Sequence, residues 1–191
     1  MLSGKERTYV EHRLEKAPTG IRGFDEITQG GLPKGRTALV TGGPGTGKTM
    51  FAMEFLVKGA TEFGEPGVFV SFEETADELI ANSASLGLSL PELCDANLLY
   101  MDYVRVERSE IEESGEYDLE GLFIRLSHAI NSVGARRLVL DTIETLFSGL
   151  PNISILRAEL RRLFRWIKDK NISTIVTGER GAVSLTREGL E

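Results

Sequence analysis

The chain has 191 residues, of which 41% are apolar, enough to bury one sizeable core and too few for two ordinary enzyme domains. Its 29 Asp and Glu residues outnumber its 22 Lys and Arg residues, and this acidic balance argues against a broad electrostatic grip on nucleic-acid phosphates. Cys94 is the one cysteine, which excludes an internal disulfide, and no apolar run matches a signal peptide or a membrane span, so we expect a soluble, cytoplasmic protein.

Residues 1–18 are polar and without clear periodicity, which is typical of an N-terminal arm or connector rather than a core element. The packed domain is therefore expected over residues 19–191. Near its middle, residues 103–117 are rich in Glu, Ser and Arg and predict a surface loop rather than a site.

The apolar pattern of the domain alternates between two periods. Short apolar runs bounded by turn residues predict buried strands at residues 36–41, 68–72, 98–101, 138–140 and 172–177. Apolar side chains at three-to-four spacing predict helices between them, after the first strand, over residues 119–133 and over residues 156–167. Strands that alternate with helices indicate an α/β fold, with a mostly parallel sheet flanked by helices.

Residues 42–49 read GGPGTGKT, which matches the P-loop pattern in full and lies between a predicted strand and a predicted helix. Its glycines let backbone N–H groups turn toward a phosphate, and the helix adds its positive end. Lys48 is expected to hold the β- and γ-phosphates of ATP, and the Thr49 hydroxyl to bind Mg²⁺. The expected nucleotide-binding residues here are Gly43, Gly45, Thr46, Gly47, Lys48, Thr49 and Met50.

An apolar strand that ends in Asp141 has the form of a Walker B segment, whose carboxylate reaches Mg²⁺ through its water shell. By itself the pattern is weak, since buried strands also end in Asp for turn reasons. The P-loop about ninety residues upstream favours the metal role within the phosphoryl-transfer template.

Glu73 and Glu74 follow the apolar run at 68–72, at the edge of a parallel sheet where ligands gather. A carboxylate there could orient and deprotonate the attacking water. Because consecutive strand residues point to opposite faces, only one should aim at the phosphate, and Glu73 is ranked first and Glu74 second. The alternative is that Glu74 or Thr75 only caps the helix near residue 76. Thr177 and Glu179 are candidate sensors in the same cleft.

These segments together resemble the ATPase module of the KaiC family, within the RecA-like P-loop NTPases. The resemblance rests on TGIRGFDE at 19–26, GGLPKGR at 30–36, the P-loop, FEET at 72–75, Asp141 and TGER at 177–180, and it covers about nine-tenths of the chain. It implies a RecA-like sheet, ATP bound between the subunits of a hexameric ring, and paired glutamates that serve hydrolysis. It also implies that Ser85 lies near the nucleotide, although its sequence context alone indicates only a helix end.

The chain departs from the family pattern in two ways. It carries one module without the phosphorylated Ser-Thr pair, so autokinase activity is not expected, and the family's later strands with a Lys-x-Arg segment are not found, so a domain truncated at its C-terminus is expected. The first hypothesis is a slow Mg-ATPase coupled to assembly or partner control, in a circadian clock or a related signalling system. The alternatives are a nucleotide-binding oligomerisation module with negligible turnover and a RecA-like DNA-dependent ATPase, which the acidic composition disfavours.

Overall fold

The computed structural model describes residues 14–105, 120–147 and 153–180. The first thirteen residues of the expected arm, residues 106–117 of the expected loop and the end of the expected domain beyond residue 180 lie outside the described residues. The strands are β1 (Lys16–Ala17), β2 (Leu32–Pro33), β3 (Thr37–Gly42), β4 (Gly67–Ser71), β5 (Leu99–Tyr103), β6 (Arg137–Asp141) and β7 (Ser173–Glu179). The helices are α1 (Phe24–Ile27), α2 (Lys48–Phe63), α3 (Ala76–Ala84), α4 (Leu90–Asp95), α5 (Glu120–Val133), α6 (Ile143–Phe147) and α7 (Ile153–Asp169).

The main sheet is parallel and has the order β3-β7-β6-β4-β5. Helices flank it on both faces, which confirms the α/β class expected from the sequence, and each expected strand is present. The order places β7 and β6 between β3 and β4, so strands far apart in the chain become neighbours. In this register Ser71 lies opposite Asp141, and Val40 lies opposite Thr177.

Both faces of the central strands are covered, which explains why their sequences are continuously apolar rather than alternating. In β4, Val68 and Val70 belong to the core cluster formed with α5, α6 and α7. Phe69, between them, belongs to the opposite cluster, formed with α2, α3 and α4. In β6, Leu138 and Val139 divide between the two faces in the same way. No described helix combines the length and apolar character that a membrane span requires.

Packing begins before residue 19. Lys16 and Ala17 pair antiparallel with Pro33 and Leu32, and Ala17 is buried. The sequence predicts only a polar arm for this pair of residues, because a strand of two residues carries no periodic signal. The carboxylate of Asp25 then anchors the start of the domain by accepting hydrogen bonds from the N–H and hydroxyl of Thr19, at 2.9 and 2.7 Å.

A fully buried arginine joins three parts of the fold. Arg137, the first residue of β6, donates through Nε to Glu65 Oε2, through Nη1 to the carbonyl of Phe55 and through Nη2 to the carbonyl of Pro18, each at 2.7 Å. Its guanidinium also lies over the Phe55 ring, 4.4 Å from the centroid. Burial lowers the pKa of Arg137, while the Glu65 carboxylate opposes this shift. The Glu65 carboxylate and the two carbonyls satisfy a charge that would otherwise be costly to bury.

Candidate functional site

The loop between β3 and α2 has the backbone of a phosphate cradle. Gly45 has φ 71° and Gly47, which precedes α2, has φ 85°, in the left-handed region that glycine adopts without steric cost. A side chain at Gly42 would collide with that of Thr46. The loop therefore needs glycine where the P-loop motif places it, and it delivers the positive end of a 16-residue helix to the site.

The two polar side chains that begin α2 point into the site. Lys48 Nζ donates to the carbonyls of Gly42 and Gly43, at 3.1 and 3.0 Å, so its ammonium lies over the loop. Thr49 Oγ1 donates to Asp141 Oδ2 at 2.9 Å. The P-loop and the Walker B strand, which are separated by 92 residues in this contact, thus meet directly.

Asp141 ends β6 and is only 4% exposed. Its second oxygen accepts a hydrogen bond from the Thr177 hydroxyl of β7. Burial is the largest effect on this carboxyl and raises its pKa, and the nearby Glu73 adds to the rise. The hydroxyls of Thr177 and Thr49 and the charge of Lys48 oppose the shift. The two hydroxyls and the charge of Lys48 therefore offset only part of the effect of burial on the pKa of Asp141.

Thr49 and Asp141 supply the kind of oxygen donors that Mg²⁺ prefers. Within the described ranges, no group of three or more His, Cys, Asp or Glu side chains is arranged to hold a metal ion. Mg²⁺ is commonly held by one or two protein ligands together with substrate phosphates. The residues present fit that mode of binding.

The sequence-based ranking of the two glutamates treats Glu73 and Glu74 as strand residues, but both lie beyond the end of the strand. β4 ends at Ser71, whose hydroxyl oxygen accepts hydrogen bonds from the N–H groups of Glu73 and Glu74, at 3.3 and 2.9 Å. The two residues therefore belong to a tight turn. The ranking of Glu73 above Glu74 assumed the alternation of a strand, and that geometry does not apply here.

The two carboxylates have different surroundings. Glu73 Oε1 accepts hydrogen bonds from the hydroxyls of Thr142 and Thr145, at 3.0 and 2.5 Å, and so faces α6. Glu74 Oε2 is buried and has no hydrogen-bond partner among the described residues. Burial raises the pKa of Glu74, and the charges of Asp141, Glu78 and Glu73 add to the rise.

Glu74 faces a cavity of about 380 Å³ beside the P-loop. Its lining consists of loop residues, the start of α2 and the end of α3: Gly45, Thr46, Gly47, Lys48, Thr49, Met50, Glu74, Asn82, Ser85 and Leu86. Gly43 lines a neighbouring cavity of about 570 Å³, together with Lys48 and Arg180. The structure thus brings Glu74 and most of the expected nucleotide-binding residues to one cavity, and places Asp141 in contact with it through Thr49.

Ser85 lies at a helix end, as its sequence context indicates, and it also lines the Glu74 cavity. It follows α3 as its C-terminal cap, where its hydroxyl donates to the carbonyl of Asn82 at 2.7 Å. The cap at the other end of α3 is Thr75, which accepts from the N–H of Glu78 at 3.4 Å while Glu78 Oε2 accepts from the N–H of Thr75 at 2.8 Å. Thr75 is therefore the helix cap, and Glu74 takes no part in capping and lines the cavity.

Three hydroxyl residues that contact the glutamates carry no motif in the sequence: Ser71, Thr142 and Thr145. The Ser71 hydroxyl oxygen accepts hydrogen bonds from the N–H groups of Glu73 and Glu74. The hydroxyls of Thr142 and Thr145 donate to the Glu73 side chain. Thr142 and Thr145 lie next to the Walker B aspartate, but their spacing gives no sign of a partner about seventy residues away, since only the parallel pairing of β4 with β6 creates the contact.

The chain is similar to a family model and to curated proteins that carry the same family name. The model of the family described as "ATPase: KaiC" matches residues 17–191. Among similar proteins, "Circadian clock protein KaiC2" of Synechocystis sp. is 62% identical over 178 residues, which are 93% of this chain and 31% of that protein. "Circadian clock oscillator protein KaiC" of Prochlorococcus marinus is 40% identical over 168 residues, 88% of this chain and 34% of its own length. The protein of the same name from Parathermosynechococcus lividus is 41% identical over 167 residues, 87% of this chain and 31% of its own length. The chain thus spans about a third of the length of these curated relatives.

Proposed function

The chain belongs to the KaiC ATPase family, and on that premise we propose that it is a module that binds Mg-ATP and hydrolyses it slowly. The observation that carries the proposal is the convergence of Lys48, Asp141 and Glu74 at the carboxyl ends of β3, β6 and β4, around a glycine-rich loop with a phosphate-cradle backbone. This edge of a parallel sheet is where α/β proteins bind their ligands.

Binding would use the P-loop and the first turn of α2. The loop N–H groups and the helix N-terminus stabilise the phosphates, and Lys48 exchanges its contacts with the Gly42 and Gly43 carbonyls for the more negative phosphate oxygens. Thr49 and Asp141 would hold Mg²⁺, which offsets the negative charge of the triphosphate. Ser85 and Met50 line the same cavity, and we assign them to the nucleoside part of ATP.

Hydrolysis needs a group that takes a proton from the attacking water. We assign this role to Glu74 before Glu73, which reverses the order expected from the sequence. Glu74 is turned toward the P-loop cavity and its raised pKa makes it the better base, whereas Glu73 Oε1 is engaged by two hydroxyls. Water oxygen then bonds to the γ-phosphorus, the bond to the leaving ADP oxygen breaks, and the proton passes to the Glu74 carboxylate.

Assembly and partner control form the second half of the proposal. The relatives at 62% and 40% identity are named circadian clock proteins. We therefore propose that the nucleotide state of this chain acts in timing or in a related signalling system. A homo-oligomeric ring, which the family resemblance implies, would let nucleotide binding and subunit contacts influence each other.

Two substitutions test the binding and the chemical step separately. Lys48→Ala should abolish tight Mg-ATP binding in a calorimetric titration, because it removes the side-chain charge placed against the phosphates. Glu74→Gln should retain binding but lower steady-state turnover by about 10²- to 10⁴-fold, the usual contribution of a positioned acid–base group. Lys58→Ala is the matched control, since Lys58 lies in the same helix and pairs with Glu62 at 2.5 Å away from the loop.

The outcomes separate the candidate functions. Undiminished ATP binding by Lys48→Ala would remove the P-loop assignment. Tight binding by the parent chain without measurable turnover would instead favour a nucleotide-binding module. Equal turnover by Glu74→Gln and the parent chain would show that another group positions the water, and Glu73→Gln would then be measured in the same assay.

A further inference from the structure

The carboxylate of Glu73 is held by two hydroxyls from one short segment. Thr142 and Thr145 both donate to its Oε1 atom, and their own hydroxyl oxygens are 3.4 Å apart. Thr142 directly follows Asp141, and Thr145 lies in α6. The segment that holds Glu73 therefore continues from the strand that carries the Walker B aspartate.

We propose that Thr142 and Thr145 are positioning residues, whose hydroxyls hold the charge of Glu73 against α6 and beside Glu74 while Glu74 faces the P-loop. This inference rests on the proposed function, in which Glu74 accepts the proton from water. We call the two threonines and Glu73 the hydroxyl clamp.

The hydroxyl clamp counteracts the repulsion between the adjacent carboxylates of Glu73 and Glu74. Two carboxylates at neighbouring positions repel each other, and neither would keep one orientation without donors. Two hydroxyl donors on a single oxygen hold the Glu73 side chain in a defined place. The Oε2 atom of Glu74 is left without a hydrogen-bond partner among the described residues, and burial raises the pKa of Glu74, which suits this group to accept a proton from water.

The fixed charge of Glu73 also acts on its neighbour. Burial is the main cause of the raised pKa of Glu74, and Glu73 contributes to it together with Asp141 and Glu78. Glu73 is exposed on its outer side, so release from the clamp would let its side chain swing into solvent. Its distance from Glu74 would grow and water would screen the interaction, so the pKa of Glu74 would fall.

A purely structural role is the competing interpretation. Thr142 and Thr145 lie at the start of α6, where hydroxyls commonly serve the helix itself. Such a role would not depend on the residue at position 73. The two interpretations therefore differ in whether the threonines act through the charge of Glu73, and a double-mutant cycle measures that dependence.

The experiment compares Thr142→Val/Thr145→Val and Thr145→Ser in the parent chain and in a Glu73→Gln background. Valine keeps the shape and removes the donor, whereas serine keeps the donor. In the parent background, the double valine variant should lower kcat by about tenfold, a part of what a positioned acid–base group contributes, with little change in KM. The acid limb of the pH profile of kcat should move to lower pH, and Thr145→Ser should keep the parent profile. In the Glu73→Gln background, the valine substitutions should cause no further shift of that limb.

A second readout does not require turnover. The pKa of Glu74 can be followed by ¹³C-carboxyl NMR of the nucleotide-free chain, with Glu74→Gln used to assign its resonance. The pKa should fall in the double valine variant and in Glu73→Gln, and the two changes should not add. An unchanged Glu74 pKa in the double valine variant, or equal effects in both backgrounds, would overturn the clamp. Absence of turnover in the parent chain would overturn the proposed function alone, because the NMR cycle would still decide the clamp.

Discussion

At the residue scale, Asp141 combines the position proposed for Mg²⁺ binding with an environment that disfavours its ionised form. It is buried at the end of β6 and near the Glu73 carboxylate, and these two effects raise its pKa despite hydrogen bonds from Thr177 and Thr49. A raised pKa for a carboxyl means that ionisation costs more in the folded than in the unfolded state. The residue therefore lowers the stability of the nucleotide-free protein at neutral pH, as residues selected for function often do.

Asp141→Asn should therefore stabilise the nucleotide-free chain at pH 7, by about 1 kcal/mol in the free energy of unfolding. The amide is similar in size and keeps hydrogen-bonding capacity toward Thr49 and Thr177, but it carries no charge. The same variant should bind Mg-ATP more weakly, because one of the two expected Mg²⁺ ligands loses its charge. Urea denaturation at pH 7 and calorimetric titration measure the two effects.

The same raised pKa of Asp141 determines how this effect on stability changes with pH. Between the ordinary value of 3.8 and the raised pKa of Asp141, the folded state binds more protons than the unfolded state. The contribution of Asp141 to the free energy of unfolding therefore becomes less favourable as pH rises through this window. The advantage of Asp141→Asn should be largest above the window and shrink as pH falls toward 3.8. A variant less stable than the parent at pH 7 would show that the hydroxyl contacts to the ionised form outweigh burial.

At the scale of secondary-structure elements, α2 and β6 are joined by an unusually close contact. Gly59 lies in α2 against the side chain of Arg137, and a Cβ atom at Gly59 would come within 2.5 Å of Arg137 Cδ and Nε. The Arg137 side chain is held by three hydrogen-bonding partners and is fully buried, so it has little freedom to move away. The glycine is therefore required by packing, although glycine weakens a helix.

Gly59→Ala should lower the free energy of unfolding by about 1–3 kcal/mol, as overpacking of a core does. Gly121→Ala is the matched control, because Gly121 is also helical, in α5, and a Cβ atom there would meet nothing within 4 Å. The control should raise stability by about 0.4–1 kcal/mol, since alanine restricts the unfolded chain. Denaturant midpoints of the two variants and the parent decide the matter, and a stabilised Gly59→Ala chain would contradict the packing role of Arg137.

At the scale of the whole molecule, nucleotide binding and assembly are expected to be linked. If Mg-ATP binds the assembled form more tightly than the free subunit, it must favour assembly to the same extent. A ligand at 100 times its dissociation constant can contribute up to about 2.7 kcal/mol per site in this way. The chain should accordingly sediment as a larger species in saturating Mg-ATP than without nucleotide.

Sedimentation velocity checks this expectation, with Lys48→Ala as the control that should not respond to nucleotide. Lys48 contacts only its own loop among the partners described for its ammonium, so its loss should spare subunit surfaces elsewhere. An unchanged sedimentation coefficient for the parent in saturating Mg-ATP would contradict nucleotide-dependent assembly. It would leave ATP binding and hydrolysis to be decided by their own assays.

The parts of this protein that the sequence determines are those with a local signal. The P-loop depends on consecutive residues, and its glycines have the left-handed conformations that the motif requires at Gly45 and Gly47. The buried strands are visible because both of their faces are covered, which makes each run apolar throughout. Strand–helix alternation and right-handed crossovers restrict the fold to a parallel α/β sheet. The strand that ends in Asp141, together with the upstream P-loop, predicts that Asp141 lies near the phosphate-binding loop.

Tertiary structure alone decides which chemical groups meet. The turn at Ser71 orients the two glutamates, and the pairing of β4 with β6 brings Thr142 and Thr145 to Glu73. Arg137 reads as an ordinary charged residue at a strand start, yet it is buried because distant carbonyls and Glu65 satisfy it. Local spacing reports period and turn chemistry, and the Ser71 turn is itself local. The contacts of Glu73 with Thr142 and Thr145, and of Arg137 with Glu65 and Pro18, join residues about seventy or more positions apart. Their energies depend on burial and on partners that only the folded chain supplies.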